Sequence, residues 1–499
     1  MNKIGAVSRK ENTELKSSGN YVPNKEILIF GIAGLGQGMI YTAMSSYVSD
    51  FYLNVMQLSP LFVMLLMLLA KIWDAINDPI MGIIVEKNDS KFGKYKPYVI
   101  YTVLPIAVLT FFMFYAPDFT KQSSANYNEL GTYFYVALIY VFWGMTYTVS
   151  DVPFWSLPNT MTPNHKERGK IISLARTLNG VGSVVPMALV MFLGYTEMNY
   201  ETRYLIMALT SAICGGALFI ASYFTTKERV KIPKIVKSDT QNRNSIKLIF
   251  SCKPLVLVLI MGVLAFGRYM YGASAIHVSR YTFFIEGMSV SASQSTVQLI
   301  FSLCTAVGMF GTMLLTPLLI KKFDYKKLVI TTCVIGGCAG ILGFIVGLFT
   351  QYSIWALIPF LIISSIPTGM LNVISHALVC DCLDYMELKM GRRENALGAA
   401  CQSFINKFDN AIATTLIIAM YMIIGLNVSD MASVGMGEMV DPTTLPSDVR
   451  LGMYSLVTII PAISMFICII PMLFYKISGK NKEKMMQELS LARKERGIE

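Results

Sequence analysis

Apolar stretches of about 20 residues or more recur along the whole chain, separated by short polar intervals. Twelve can be placed, near 27–49, 61–85, 98–116, 132–157, 171–194, 203–224, 248–279, 293–320, 328–349, 354–382, 396–426 and 451–475. About 20 apolar residues let an α-helix cross ~30 Å of hydrocarbon, so the pattern predicts an all-α membrane protein with twelve transmembrane helices. Composition agrees. Of 499 residues 54% are hydrophobic and only 15% charged, and mean hydropathy is +0.53, whereas a soluble domain carries about 25% charged residues.

The longest internal polar segment, KERVKIPKIVKSDTQNRNSIK at 227–247, divides the spans six and six. The plan expected is an N-terminal cytoplasmic tail at 1–24, a six-helix bundle at 25–226, a central cytoplasmic loop at 227–247, a second six-helix bundle at 248–475 and a C-terminal cytoplasmic tail at 476–499. Two six-span halves with substrate at the midplane is the layout of major facilitator transporters. A faint repeat supports it: the loops after spans two (EKNDSKFGKYKP) and eight (KKFDYKKL) are both short and basic and follow a proline near the helix end, Pro79 and Pro317. An inverted-repeat transporter with broken helices is the rival fold, and the basic loop halfway along argues against it.

The net charge of +11 raises nucleic acid as a partner. The basic residues instead sit in alternate short loops, at Lys87, Lys91, Lys94 and Lys96, at Lys166, Arg168 and Lys170, at Lys321, Lys322, Lys326 and Lys327, and at Lys389, Arg392 and Arg393. The intervening loops are poor in them, as the positive-inside rule requires. Both termini are therefore expected in the cytoplasm of a multi-pass plasma-membrane protein that meets lipid and no nucleic acid; a monomer is compatible with the pattern. The first twenty residues have no apolar core or small-residue cleavage site and read as a polar tail. All nine Cys lie in or beside apolar spans with no CxxC, and the three His are scattered, which predicts neither a disulfide framework nor a zinc site. No HExxH, GxSxG or Walker loop marks an enzyme, and no cofactor is expected.

Chemistry enters where charge interrupts hydrocarbon. In KIWDAINDPIMG (71–82), Lys71, Asp74 and Asp78 fall at i, i+3 and i+7 on one helical stripe with Asn77 beside them. Each ionised group near the bilayer centre costs roughly 2.5–3.5 kcal/mol on insertion scales. Two carboxylates four residues apart repel, and a bound monovalent cation or a proton relieves that; pairing of Lys71 with both is the structural alternative. In span four, Thr148, Asp151 and Trp155 share a stripe, placing a hydroxyl, a carboxylate and an aromatic face together, an arrangement suited to a polyol. The alternatives there are an interfacial Trp155 and an Asp151 that simply balances Arg176 of span five.

WDAINDPIMG, the following SKFGKYKP, and SDVPFWSLP resemble the sugar:cation symporters of the glycoside-pentoside-hexuronide family, and DCLDYMELKMGRREN with CQSFINK resembles that family's tenth and eleventh spans. The resemblance covers most of the chain. It implies a major facilitator fold and a cation site of Asp74, Asn77, Asp78 and Thr148 holding sodium or a proton, with Asp74 and Asp78 as the charged ligands. Asp151, Trp155, Arg176 and Lys407 would surround the sugar; Ser403 and Asn410 share the Lys407 face. Lys71 stands where Arg is usual, and Asp381, Asp384 and Glu387 with Arg392 and Arg393 resemble cytoplasmic gate charges, or else form a solvated cluster at a loop end.

Two departures matter. GLGQGMIY leaves Gln37 and Gly38 where melibiose permease has a basic residue and a sugar-binding acid, which removes the basis for galactoside recognition. Arg268 in span seven and Asp409 beside Lys407 are additional charges. Arg268 either pairs with a carboxylate or snorkels, or else offers its guanidinium to an anionic substrate such as a hexuronide. At mid-membrane Lys71, Arg176, Arg268 and Lys407 balance Asp74, Asp78, Asp151 and Asp409. The expectation is a cation-coupled symporter importing a glycoside, pentoside or hexuronide by alternating access. The rivals are the same fold carrying an amphipathic, lipid-like solute, and a sugar sensor that does not translocate.

Overall fold

The computed structural model describes residues 21–87, 90, 92–122, 124–162, 164–196, 198–229, 251–390, 395–425 and 441–495, which form helices and turns with no β-strand among them. They fall into two compact units, one on either side of 230–250.

The first unit contains α1 (Asn24–Asp50, continued by a π-helical turn at Phe51–Val55), α2 (Pro60–Lys87), α3 (Lys96–Met113), α4 (Glu129–Met161), α5 (His165–Gly194) and α6 (Tyr200–Thr225). Helix α1 packs against α5 and α6, α2 against α4, and α3 against α4 and α6. Small residues let α1 approach α5 backbone to backbone, since lipid tails offer no hydrophobic drive between helices and association rests on close packing. A Cβ on Gly34 would stand 2.6 Å from the Ala175 carbonyl oxygen, and one on Gly38 would run into that of Asn179. The Asn179 amide fastens the contact by donating to the Gly34 carbonyl at 3.1 Å.

The second unit contains span seven in two pieces, α7 (Lys253–Leu264) and α8 (Gly267–Tyr281), then α9 (Val290–Ile320) and α10 (Tyr325–Phe349). Span ten is α11 (Ile354–Ser364) with α12 (Ile366–Met390), followed by α13 (Asn395–Ile423). Span twelve is α14 (Ser447–Ser455), α15 (Ile459–Ile467) and α16 (Ile469–Phe474), and α17 (Lys480–Glu495) closes the unit. Backbone groups freed by a break inside a membrane must find partners in protein. At the α7–α8 break the Ser464 hydroxyl meets both sides, accepting from Gly267 N at 2.8 Å and donating to Leu264 O at 2.7 Å.

Ten helical stretches among the described residues are long and apolar enough to cross a membrane. Two more have the length, α2 with 28 residues and α13 with 29, and these carry the charges of Lys71, Asp74 and Asp78 and of Lys407 and Asp409.

Contacts within the units repeat. Lys96 at the start of α3 donates to Thr226 O just past the end of α6 (2.8 Å), and Lys326 at the start of α10 donates to Leu473 O and Tyr475 O at the end of α16 (2.9 and 3.0 Å). Glu228 accepts from the backbone N–H groups of Lys94, Tyr95 and Lys96, and Asp324 accepts from Gly479 N. Lys96 and Lys326 thus satisfy orphan carbonyls at helix C-termini.

Two expected polar tails or loops carry more structure than their sequence announced. Arg229, assigned to the central loop, pairs with Glu26 at 2.6 Å. The segment 476–499 was read as a tail, yet α17 buries Met485 and Leu489 and belongs to the second unit's packing.

Candidate functional site

The α2 stripe faces α4 in a repeating register. Asp74 Oδ1 lies 3.4 Å from where a Cβ on Gly144 would stand, and one turn further along both helices Asp78 Oδ1 accepts from the Thr148 hydroxyl at 3.2 Å. Gly144 leaves room beside the first carboxylate and Thr148 supplies an oxygen beside the second. Lys71 pairs with Asp74 at 3.8 Å. Asn77, between Asp74 and Asp78 along α2, is half-buried with its Nδ2 unpartnered among the described residues. Formal charges of Lys71, Asp74 and Asp78 leave one negative charge, and the oxygens gathered here suit one hard monovalent cation. Of the four residues inferred as cation ligands, Asp78 and Thr148 are in direct contact, and Asp74 and Asn77 lie on the same helix within one turn of Asp78.

Three residues beyond Thr148, Asp151 is held by groups from two helices. Gln37 of α1 donates its amide to Asp151 Oδ1 at 2.6 Å and Trp155 donates its indole N–H to the same oxygen at 3.1 Å. The Arg176 guanidinium lies 3.7 Å from the Trp155 ring centroid, a cation–π contact. One indole face is thus covered by a cation, where the sequence suggested an open aromatic platform. Arg176 itself is exposed. A charged side chain in the middle of a span faces a polar cavity in preference to lipid. Gln37 was legible only as a departure from a family pattern; the structure makes it the side chain that orients Asp151.

The second unit changes the reading of Arg268. Its Nη2 and Nε lie 2.5 and 2.9 Å from Asp409 Oδ2, with the two side chains only 2% and 0% exposed. A third contact reaches Asn406 Oδ1 at 3.3 Å. Of the two roles foreseen, pairing with a carboxylate is the one the geometry supports, and an anionic cargo would have to displace Asp409 to use this guanidinium. Ser403 and Lys407 lie on a different face of α13, exposed and half-buried respectively.

Asp381 has a partner that its sequence context did not suggest. It pairs with Lys482 of α17 at 2.6 Å, and Lys482 stands 3.9 Å from the Tyr325 ring centroid. Arg392 and Arg393 lie outside the described residues, and Asp384 is half-buried on α12. No local pattern around Asp381 marks a partner 101 positions away. Lys482→Gln is expected to lower stability by about 1 kcal/mol, the scale of one partly exposed ion pair with a cation–π contact. Thermal unfolding in detergent checks this.

Sequence reasoning missed Asp50 altogether. It is fully buried at the π-helical turn ending α1, accepts from Asn54 Nδ2 at 2.6 Å and is bonded by the Tyr204 hydroxyl. An acid inside AMSSYVSDFYLNV was itself the available signal.

Among the described residues the chain is helical, in two compact units with ten stretches long and apolar enough to cross a membrane, which is the class of a polytopic membrane protein. The chain belongs to the family described as MFS/sugar transport protein, whose profile matches residues 29–479. It is similar to the uncharacterized symporter YjmB of Bacillus subtilis (25% identity, covering 93% of this chain and 95% of the relative). The isoprimeverose transporter of Lactiplantibacillus pentosus is 23% identical, with 79% of each chain covered. Among solved structures, the nucleoside transporter NupG (TM-score 0.58, 14% identity, 91% of this chain and 100% of that one) and the xylose transporter XylE from E. coli (TM-score 0.56, 14%, 93% and 98%) share the fold.

Proposed function

We propose that the protein is a cation-coupled symporter that imports a neutral glycoside or pentoside, with both termini in the cytoplasm. The observation that carries this reading is the paired register of α2 and α4, in which Asp74 and Asp78 face Gly144 and Thr148. The relative named for isoprimeverose transport supports a sugar as cargo. The Arg268–Asp409 pair favours a neutral sugar over a uronide, because the guanidinium already has its carboxylate.

Helix α4 supplies the coupling. Thr148 serves the cation and Asp151 and Trp155 serve the sugar, one turn apart on the same helix. A cation that fixes the α2–α4 contact therefore fixes Asp151 and raises sugar affinity, and reciprocity requires the sugar to raise cation affinity by the same factor. Gln37, Asp151 and Arg176 give the cargo hydrogen-bonding groups that a lipid-like solute would leave unused.

Sodium is the expected coupling ion, since Asn77 and Thr148 add uncharged oxygens to the two carboxylates and a proton needs only one carboxylate. Proteoliposomes offered a panel of radiolabelled glycosides and pentosides under a sodium gradient, a proton gradient or neither decide the point. Accumulation above equilibrium is expected with sodium; equal uptake in all three conditions across the panel would overturn the reading.

A further inference from the structure

The polar network between α8 and α13 lacks a donor. Arg268 directs two N–H groups to one oxygen of Asp409, Oδ2, and Oδ1 is buried with no partner among the described residues. A third Arg268 N–H goes to Asn406 Oδ1, which fixes that amide with its oxygen toward the guanidinium. Gln402 must then turn its NH₂ toward the same oxygen, as it does at 3.2 Å, and its own Oε1 is left buried and unpartnered among the described residues. The orientation of each amide follows from the cation at the end of the chain, so neither orphan can be removed by flipping a side chain. Asp409 and Gln402 are 0% and 6% exposed, closed to a sugar.

We infer that Asp409 is a proton-binding site of the second unit, built from different residues than the carboxylates of α2. A proton added to Oδ1 forms one O–H bond, turns that orphan acceptor into a donor and takes the Arg268–Asp409 pair from zero to one positive charge. Arg268 is the charged group that reaches this carboxylate, with the Tyr269 ring 5.1 Å from the guanidinium; Lys407, two residues away, lies on another face of α13. From α7 and α12, which also pack on α13, no charged side chain is seen in contact with Asp409 among the described residues. A buried carboxylate whose single counter-charge sits on one oxygen is poised to exchange a proton for part of that pairing.

The proton itself is the probe. Full-length protein reconstituted in lipid is titrated by pH while infrared difference spectra follow the C=O stretch of protonated carboxyl groups, so no cargo need be known. Wild type is expected to show a titrating carboxyl band that persists in Asp78→Asn, which separates it from the cation site of α2. The band should disappear in the double variant Arg268→Gln with Asp409→Asn, where a neutral amide pair keeps the interior free of an unmatched charge. Arg268→Gln alone should raise the midpoint by about 1–3 pH units, because an opposite charge at this range favours the ionised acid by that amount. A spectrum unchanged in the double variant, an unmoved midpoint in Arg268→Gln, or no titrating band over the range in which the protein stays folded would each overturn the assignment and leave a fixed ion pair, hydrated or dry.

Discussion

Asp78→Cys is expected to abolish sodium-driven accumulation while leaving sugar binding and sugar exchange in place. Removing this carboxylate leaves Lys71 and Asp74 to cancel, so the α2 stripe loses the net negative charge that holds a cation. Two unit charges 4 Å apart attract by about 4 kcal/mol at an effective dielectric near 20, on the order of a 10³-fold loss of cation affinity. Thr148 keeps its hydroxyl but loses its acceptor on Asp78. Asp151, Gln37, Trp155 and Arg176 are untouched, and an uncoupled carrier that still exchanges sugar is the outcome. Asp151→Cys should do the reverse: it leaves the cation ligands complete but strips Gln37 and Trp155 of their shared acceptor, and sugar binding itself should fail. Vesicle accumulation, exchange of preloaded labelled sugar and equilibrium binding separate the two. If both variants bound sugar equally, or if Asp78→Cys still concentrated it, cation and sugar would not occupy separate residues on α4.

Which features were legible follows from the range over which each is encoded. Transmembrane helices announce themselves within 20 residues because every backbone group is satisfied inside the helix and the side chains need only be apolar. The Lys71, Asp74 and Asp78 stripe was equally readable, since helical periodicity puts i, i+3 and i+7 together without reference to another element. The Thr148 contact with Asp78 spans 70 positions and came only through a resemblance. The Arg268–Asp409 pair spans 141, and two charges in different spans carry no sign in their sequence of which faces meet. The break between α7 and α8 depends on Ser464, a residue 197 positions from Gly267 that looks like any small residue in an apolar run. Docking of α17 was hidden for another reason. Its buried contacts, Met485 and Leu489, are an i, i+4 pair in a segment dominated by charge, too weak an apolar stripe to distinguish a packed helix from a solvated one.

Gly38→Asp is expected to prevent folding, not to restore the acidic sugar ligand that melibiose permease has in this span. The resemblance invites the exchange, because GLGQGMIY differs from the permease at this place. The structure closes it: the space a Cβ at 38 would fill is taken by the Asn179 carbonyl of α5, a backbone atom that cannot rotate away. Moving α5 would break the Asn179 bond to Gly34 O and the neighbouring Gly34–Ala175 and Gly182–Leu35 contacts, all part of the same helix pair. Overpacking alone costs about 1–3 kcal/mol, and a carboxylate without a counter-charge in a helix interface adds several more. Gly38→Ala isolates the first contribution and should lower the melting temperature in detergent, whereas Gly272→Ala, where an added Cβ meets nothing within 4 Å, should leave it unchanged. For Gly38→Asp the expected result is loss of the monodisperse peak in size-exclusion chromatography. A folded Gly38→Asp protein that bound a galactoside would show that α1 and α5 part easily. Recognition would then be set by the residue at 38, whereas the packing seen here assigns α1's contribution to Gln37, whose amide reaches Asp151.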